Sequence, residues 1–213
     1  MNRKIVLAAA LLGLAACSRE GKLDVVGGVG VNVNRTGCPT VGVVEGTGDI
    51  TTFNPVTSRD ADAIDVVATI TNVKSNCTVG TEKHYADATF DVLARRSDTR
   101  GERQVTLPYY SVVMQGGSSV VSKRVGQIVL NFADGADRAS ASGRVGAYVD
   151  AASTRLPADV QEKITRKRKP GDEDAALDPL ADPQVRSALS RATFELLVGF
   201  QLTEEQLRYN VTR

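Results

Sequence analysis

The stretch Tyr85-Ala86-Asp87-Ala88-Thr89-Phe90-Asp91-Val92 decides the fold. Ala86, Ala88, Phe90 and Val92 share one parity, and Tyr85, Asp87, Thr89 and Asp91 share the other. A period of two places these groups on opposite faces of a strand, one apolar and one wet, whereas a helix would scatter both. Asp87 and Asp91 fall on the wet parity, so they read as a solvated sheet face and not as a catalytic carboxylate pair.

The same alternation extends outward on both sides. Ile64, Val66, Ala68 and Ile70 alternate with Asp65, Val67, Thr69 and Thr71. Val105, Leu107 and Tyr109 continue it, with Pro108 marking an edge position or a bulge. Ser119 to Phe132 carries Ile128, Leu130 and Phe132 on one side, and Val145, Ala147 and Val149 form a shorter run. Arg100-Gly101, Gly116-Gly117 and Asp134-Gly135 supply turns between them. Spacing this short leaves no room for crossover helices, so antiparallel pairing is expected.

Near the C-terminus, Phe194, Leu196, Val198, Phe200 and Leu202 keep strict two-residue spacing. This predicts a central strand over 192–202 that returns to complete the sheet, followed by Thr203 and Gln206 as the capping box of a helix to Tyr209. Residues 151–191 then become an excursion between strands. Pro157 opens a helix to about Lys169, and Asp182-Pro183 caps another to Arg191. The acidic, proline-broken segment 170–182 between them reads as mobile. The expected fold is all-β, an antiparallel immunoglobulin-like β-sandwich over 38–213 with a helical insertion before the last strand.

The first residues carry an address. Arg3 and Lys4 precede ten apolar residues, Ile5 to Leu14, too few to span a bilayer, which takes about 20 as a helix. The run ends in Leu14-Ala15-Ala16-Cys17, which resembles the lipobox of bacterial lipoproteins. The resemblance implies that 1–16 is a signal peptide and that Cys17 is lipidated as the first mature residue. Ser18, not Asp, follows, which favours the outer membrane facing the periplasm. Residues 17–37 then form a flexible tether reaching about 25 Å. Its Val25-Val26-Gly27-Gly28-Val29-Gly30-Val31 lacks the third glycine and the strand–turn–helix setting of a nucleotide loop.

Leu107-Pro-Tyr-Tyr-Ser-Val-Val, Val121-Ser-Lys-Arg-Val and Gly199-Phe-Gln-Leu-Thr-Glu-Glu-Gln-Leu-Arg-Tyr-Asn resemble an uncharacterised group of alphaproteobacterial lipoproteins. That resemblance brings no catalytic residue to transfer.

Composition limits the chemistry. With 26 Lys+Arg against 25 Asp+Glu, the chain lacks the concentrated positive charge of a nucleic-acid binder. Removing 1–16 takes away Arg3 and Lys4 and turns the formal balance from +1 to −1. Of three cysteines, lipidation of Cys17 leaves Cys38 and Cys77 as an even pair in an oxidising compartment, so a disulfide is expected. The spacing of Cys38, Cys77, His84 and Asp87 matches no common zinc pattern, and no cofactor is implied. His84, the one histidine, reads as a solvated residue at the start of a strand, with no Gly-x-Ser-x-Gly turn to give it a serine partner.

The one strong charge run is Lys163 with Arg166, Lys167, Arg168 and Lys169. It is the candidate interaction surface, for anionic headgroups or an acidic envelope component. The bland account is a solvated helix end: cations complementing the dipole, Glu162 paired with Arg166, and Asp172 to Asp174 cancelling charge. The functional expectation is a non-enzymatic, lipid-anchored interaction or assembly module of the cell envelope. Its partners are the membrane, through the anchor, and another envelope protein. The alternative is a periplasmic carrier or chaperone for a small apolar ligand, against which ten aromatics and no Trp weigh mildly.

Overall fold

The structure, a computed structural model, describes residue 35 and residues 37–212. Residues 1–16, read above as a signal peptide, Cys17 and nearly all of the expected tether lie outside the described residues. Eight strands occur among the described residues: β1 Thr40–Val43, β2 Asp49–Phe53, β3 Ile64–Thr78, β4 Lys83–Arg96, β5 Arg103–Gln115, β6 Ser119–Phe132, β7 Arg138–Asp150 and β8 Phe194–Phe200. Three α-helices accompany them: α1 Ala158–Thr165, α2 Pro183–Ala192 and α3 Glu204–Thr212. None is long and apolar enough to cross a membrane.

The strands form two sheets, ordered β1-β8-β5-β6 and β2-β3-β4-β7. Every neighbouring pair is antiparallel except β1 and β8, where Thr40–Val43 runs parallel to Glu195–Val198. Wholly antiparallel pairing is therefore corrected at this one place. The crossover requirement applies to local connections, and here nearly the entire domain separates the two strands.

The apolar parities read from sequence face one shared core. Ile50, Val66, Ala68, Phe90 and Val92 of one sheet pack in a single cluster with Leu130, Phe132, Leu196, Val198 and Phe200 of the other. Two glycines make room for the ring of their cross-strand neighbour, Gly126 for Tyr109 and Gly143 for Phe90. A Cβ at Gly126 would stand 2.6 Å from the Tyr109 ring, and one at Gly143 would stand 2.3 Å from the Phe90 ring. With both Cβ atoms absent, the two rings meet edge to face at 5.3 Å between centroids, across the sheets.

Pro108 sits in a central strand, which the edge-or-bulge expectation did not place. The β5–β8 ladder ends at Tyr109 and Phe200, and the Pro108 carbonyl accepts from Gln201 just beyond it, at 2.9 Å. The missing N–H therefore faces the point where β8 has already stopped.

The expected C-terminal strand is present and central, trimmed to Phe194–Phe200. The capping box forms as read: Thr203 N–H donates to Gln206 Oε1 at 2.9 Å, and Gln206 N–H to Thr203 Oγ1 at 3.2 Å. α3 continues past Tyr209 because tertiary contacts hold its last turn. Asn210 Nδ2 donates to the Gly46 and Asp49 carbonyls at 2.8 and 2.7 Å, and Tyr209 packs edge-on against Phe53 at 5.2 Å.

Both helices of the excursion form. α2 starts where read, with Asp182 Oδ1 accepting from Gln184 N–H at 2.8 Å. α1 stops at Thr165, four residues before the expected Lys169. Val160, Ile164, Val185 and Ala188 make a second apolar cluster separate from the sheet core. Asp178 caps a single 3-10 turn at Pro179–Ala181 within the acidic connection.

Strand direction fixes two poles. β4 and β6 lead into β5 and β7 through residues 97–102 and 133–137, which lie at one pole. The β5–β6 turn, the ends of β3 and β7, the starts of β4 and β8, and the excursion all gather at the other.

Candidate functional site

The second pole is where the sequence-read site residues collect. Cys38 and Cys77 are joined in a disulfide, with Cα atoms 6.1 Å apart, so neither thiol is available as a metal ligand. The bond ties the segment before β1 to the end of β3 and seats Gly37 against the imidazole of His84.

His84 is not the solvated histidine expected from sequence. It lies within β4, only 6% exposed, on the same parity as Ala86 and Ala88. Gly37 and the 3-10 turn Ala151–Thr154 close over it, which local sequence could not indicate. Its Nε2 is 3.1 Å from Thr154 Oγ1, and that hydroxyl donates to the Ala151 carbonyl at 2.9 Å. The hydroxyl proton is thus committed to a carbonyl, and the imidazole Nε2–H is the donor to Thr154. This is the reverse of a base–nucleophile pair, in which the imidazole would accept the hydroxyl proton. Nδ1 is enclosed without a hydrogen-bond partner.

Beside His84 opens a cleft of about 460 Å³ lined by Arg35, Thr81, Thr154, Arg155 and Gln161 among others. Arg35 is held there by donating to the Ala192 carbonyl at 2.9 Å and to Thr193 Oγ1 at 3.0 Å. Its lining mixes the guanidinium groups of Arg35 and Arg155 with the apolar side chains of Val79, Ala151 and Leu156. The intersheet space is filled by Phe90, Leu130, Phe132, Leu196 and Phe200.

The basic run divides into two classes. Arg168 is buried, with Nε 3.3 Å from Asp174 Oδ2 and Nη2 donating to the Lys163 carbonyl at 3.0 Å. Arg166 also pairs with Asp174, and Lys163 Nζ lies 3.3 Å from Asp182 Oδ2. These three cations fold the connection back onto α1, which is why the helix ends early and why Arg166 leaves Glu162. Lys167 and Lys169 alone of the run turn outward with no ion pair among the described residues.

Asp87 and Asp91 lie on the outer face, as their parity required, but Asp87 is buried there and is not solvated. Arg144 covers it, with Nη2 2.9 Å from Oδ2, and Asn76 donates to Oδ1 at 3.2 Å. Asp91 accepts from Asn72 and Ser142 at 2.7 Å each, and these two bonds, the Asn72 bond foremost, hold its carboxyl below the usual range. The two carboxylates are engaged by separate partners and do not act on a common centre.

Sequence reading missed Arg96, at the opposite pole. Its guanidinium is buried and donates to the carbonyls of Thr99, Ala133 and Ala136, each at 2.8 Å. Its parity with Ala86 through Ala94 is the signal that places it inward.

No protein-family model, curated protein or solved structure matches this chain.

Proposed function

We propose that this chain is a lipid-anchored protein of the bacterial cell envelope, held at Cys17 in the outer membrane, whose β-domain presents the 151–191 excursion to another envelope protein. The observation that carries the reading is the construction of the excursion. α1 and α2 have their own small core, outside the sheet core, at the pole where Arg35 joins the domain. A rigid scaffold carrying a separately packed outgrowth is the usual design of a recognition surface. The Cys38–Cys77 disulfide supports an oxidising compartment. The non-enzymatic reading is supported by the donor role of His84 toward Thr154. The filled intersheet space favours interaction over the carrier alternative.

On this reading the two sheets are an immunoglobulin-like sandwich. The support is that β4–β7 and β5–β8 each pair strands three apart, passing the chain from sheet to sheet in Greek-key fashion.

Photocrosslinking in intact cells tests the function. A photoreactive residue at Lys167 or Lys169 should yield a discrete protein adduct, and one at Arg100, at the far pole, should not. Adducts from Arg100 and none from the lysines would overturn the assignment. The mass of the mature chain tests the anchor independently, by the presence of an acylated Cys17.

A further inference from the structure

The β5–β6 hairpin has a tip unlike the rest of either sheet. Every residue from Ser119 to Val125 is exposed, so the strand is uncovered on both faces. Val120 and Val125 project from one face, opposite Met114 and Tyr110, with Val121 at the bulge beside Val120, and the three are 62%, 62% and 56% exposed. Lys123 and Arg124 lie between them, and Lys123 Nζ sits 4.8 Å over the ring of half-buried Tyr110. Residues 103–132 contain no Asp or Glu. The one other cation of the hairpin, Arg103, is at its base and is bound to Asp65.

This tip also adjoins the start of the described domain. Gly116 N–H donates to the Thr193 carbonyl at 3.0 Å, and Arg35 donates to the Thr193 hydroxyl. Cys17 is 18 residues before Arg35, a reach of about 25 Å for a flexible chain.

We propose that the β5–β6 tip is a second membrane contact that rests in the headgroup layer of an anionic bilayer. This rests on the anchor reading above, since the tether places that pole toward the lipid surface. Three features select a lipid surface. A hairpin end uncovered on both faces and carrying three exposed valines cannot be covered by a single flat partner, but immersion covers it all round. Lys123 and Arg124, with no acid on the hairpin, complement anionic headgroups. Tyr110 is a residue type suited to the boundary between apolar and wet layers. β6 is an edge strand, so its free main-chain N–H and C=O groups keep the tip at the hydrated headgroup level and out of the hydrocarbon.

The absence of Trp from the chain makes the test direct, because a single introduced indole is the only one that reports. Mature protein carrying Val121→Trp is reconstituted into phosphatidylcholine vesicles with and without phosphatidylglycerol, using lipids brominated near the headgroup end of the acyl chains. A matched protein carries Val56→Trp, at the far pole. The expected result is a blue shift and bromine quenching of the indole in the Val121→Trp protein that increase with phosphatidylglycerol, with the indole of the Val56→Trp protein unaffected. Lys123→Glu with Arg124→Glu in the Val121→Trp protein should abolish the increase while leaving thermal unfolding unchanged. Vesicle-bound Val121→Trp protein whose emission stays unquenched overturns the inference and leaves the anchor intact. A blue shift in that protein that needs no vesicles and grows with protein concentration also overturns it, by marking a second copy as the occupant. If Cys17 carries no acyl chain, the anchor reading fails, while quenching in phosphatidylglycerol vesicles still supports the tip contact.

Discussion

Arg96 is a buried cation that makes no ion pair among the described residues, and it is held by the geometry of its hydrogen bonds. A guanidinium can fork three ways, and here it meets the carbonyls of residues 99, 133 and 136, which belong to two different loops, with its charge 5.2 Å from the Phe132 ring centre. Arg96→Met keeps the apolar stem but leaves three carbonyls without donors. It should lower stability by about 3 kcal/mol, read as a reduced urea midpoint at unchanged slope. Nearby, Arg103 donates twice to Asp65, at 2.6 and 2.7 Å, and joins the two sheets. Those bonds hold the Asp65 carboxyl below its ordinary value. A lowered folded-state value means that the contribution is complete above the unfolded value, about 3.9, and is lost as pH falls through the folded one. Asp65→Asn should therefore melt earlier than wild type near neutrality, with the gap closing as pH drops below about 4. Alternation found the inward positions of β4 but not their chemistry. His84 and Arg96 share the apolar parity, and their partners come from residues 37, 154, 99, 133 and 136, whose proximity only the tertiary fold creates.

Among the elements, strands that are long and half-buried were the legible ones. β3 to β7 each run 13 to 15 residues, enough for a period of two to show. β1 and β2, at four and five residues, are too short to show it. Alternation in β3 breaks after Thr71 because Asn72 takes φ +51° at a bulge, and the register resumes at Lys74 opposite Thr89. The end of α1 was hidden for a different reason. Helix propensity continues through Arg166 to Lys169, but salt bridges to Asp174 turn the chain away. The excursion depends on its own small core, so Ile164→Ala should loosen it selectively. A loss of about 2–5 kcal/mol is expected in that unit. Hydrogen exchange should show lost protection over 158–192, with the ladders of β3, β4 and β7 unchanged.

Across the whole molecule, the two-sheet organisation followed from alternation, while the pairing of first strand with last did not, since no local pattern encodes contacts between residues so far apart. The disulfide was legible from cysteine parity, but its consequence was not. By closing residue 38 onto 77 it seats Gly37 over His84 and completes the wall of the cleft. Replacing both cysteines with serine should cost about 4 kcal/mol on the chain-entropy account. In calorimetry this is one cooperative transition at lower temperature, because the bond constrains the same body that carries the core.

β8 fills a slot between β1 and β5 and arrives there after more than forty residues of excursion. A sheet whose middle strand is delivered on so long a lead can accept that strand from a neighbour when the protein concentration is high enough to compete with the chain's own. Two copies that exchange α2, β8 and α3 would keep every hydrogen bond of both ladders and differ only in which chain supplies them. Refolding at high concentration is therefore expected to leave a fraction of interlocked pairs, seen as a slowly dissociating dimer on size-exclusion chromatography. Shortening the connection between α1 and α2 should enrich it, because a hinge too short to fold back favours exchange.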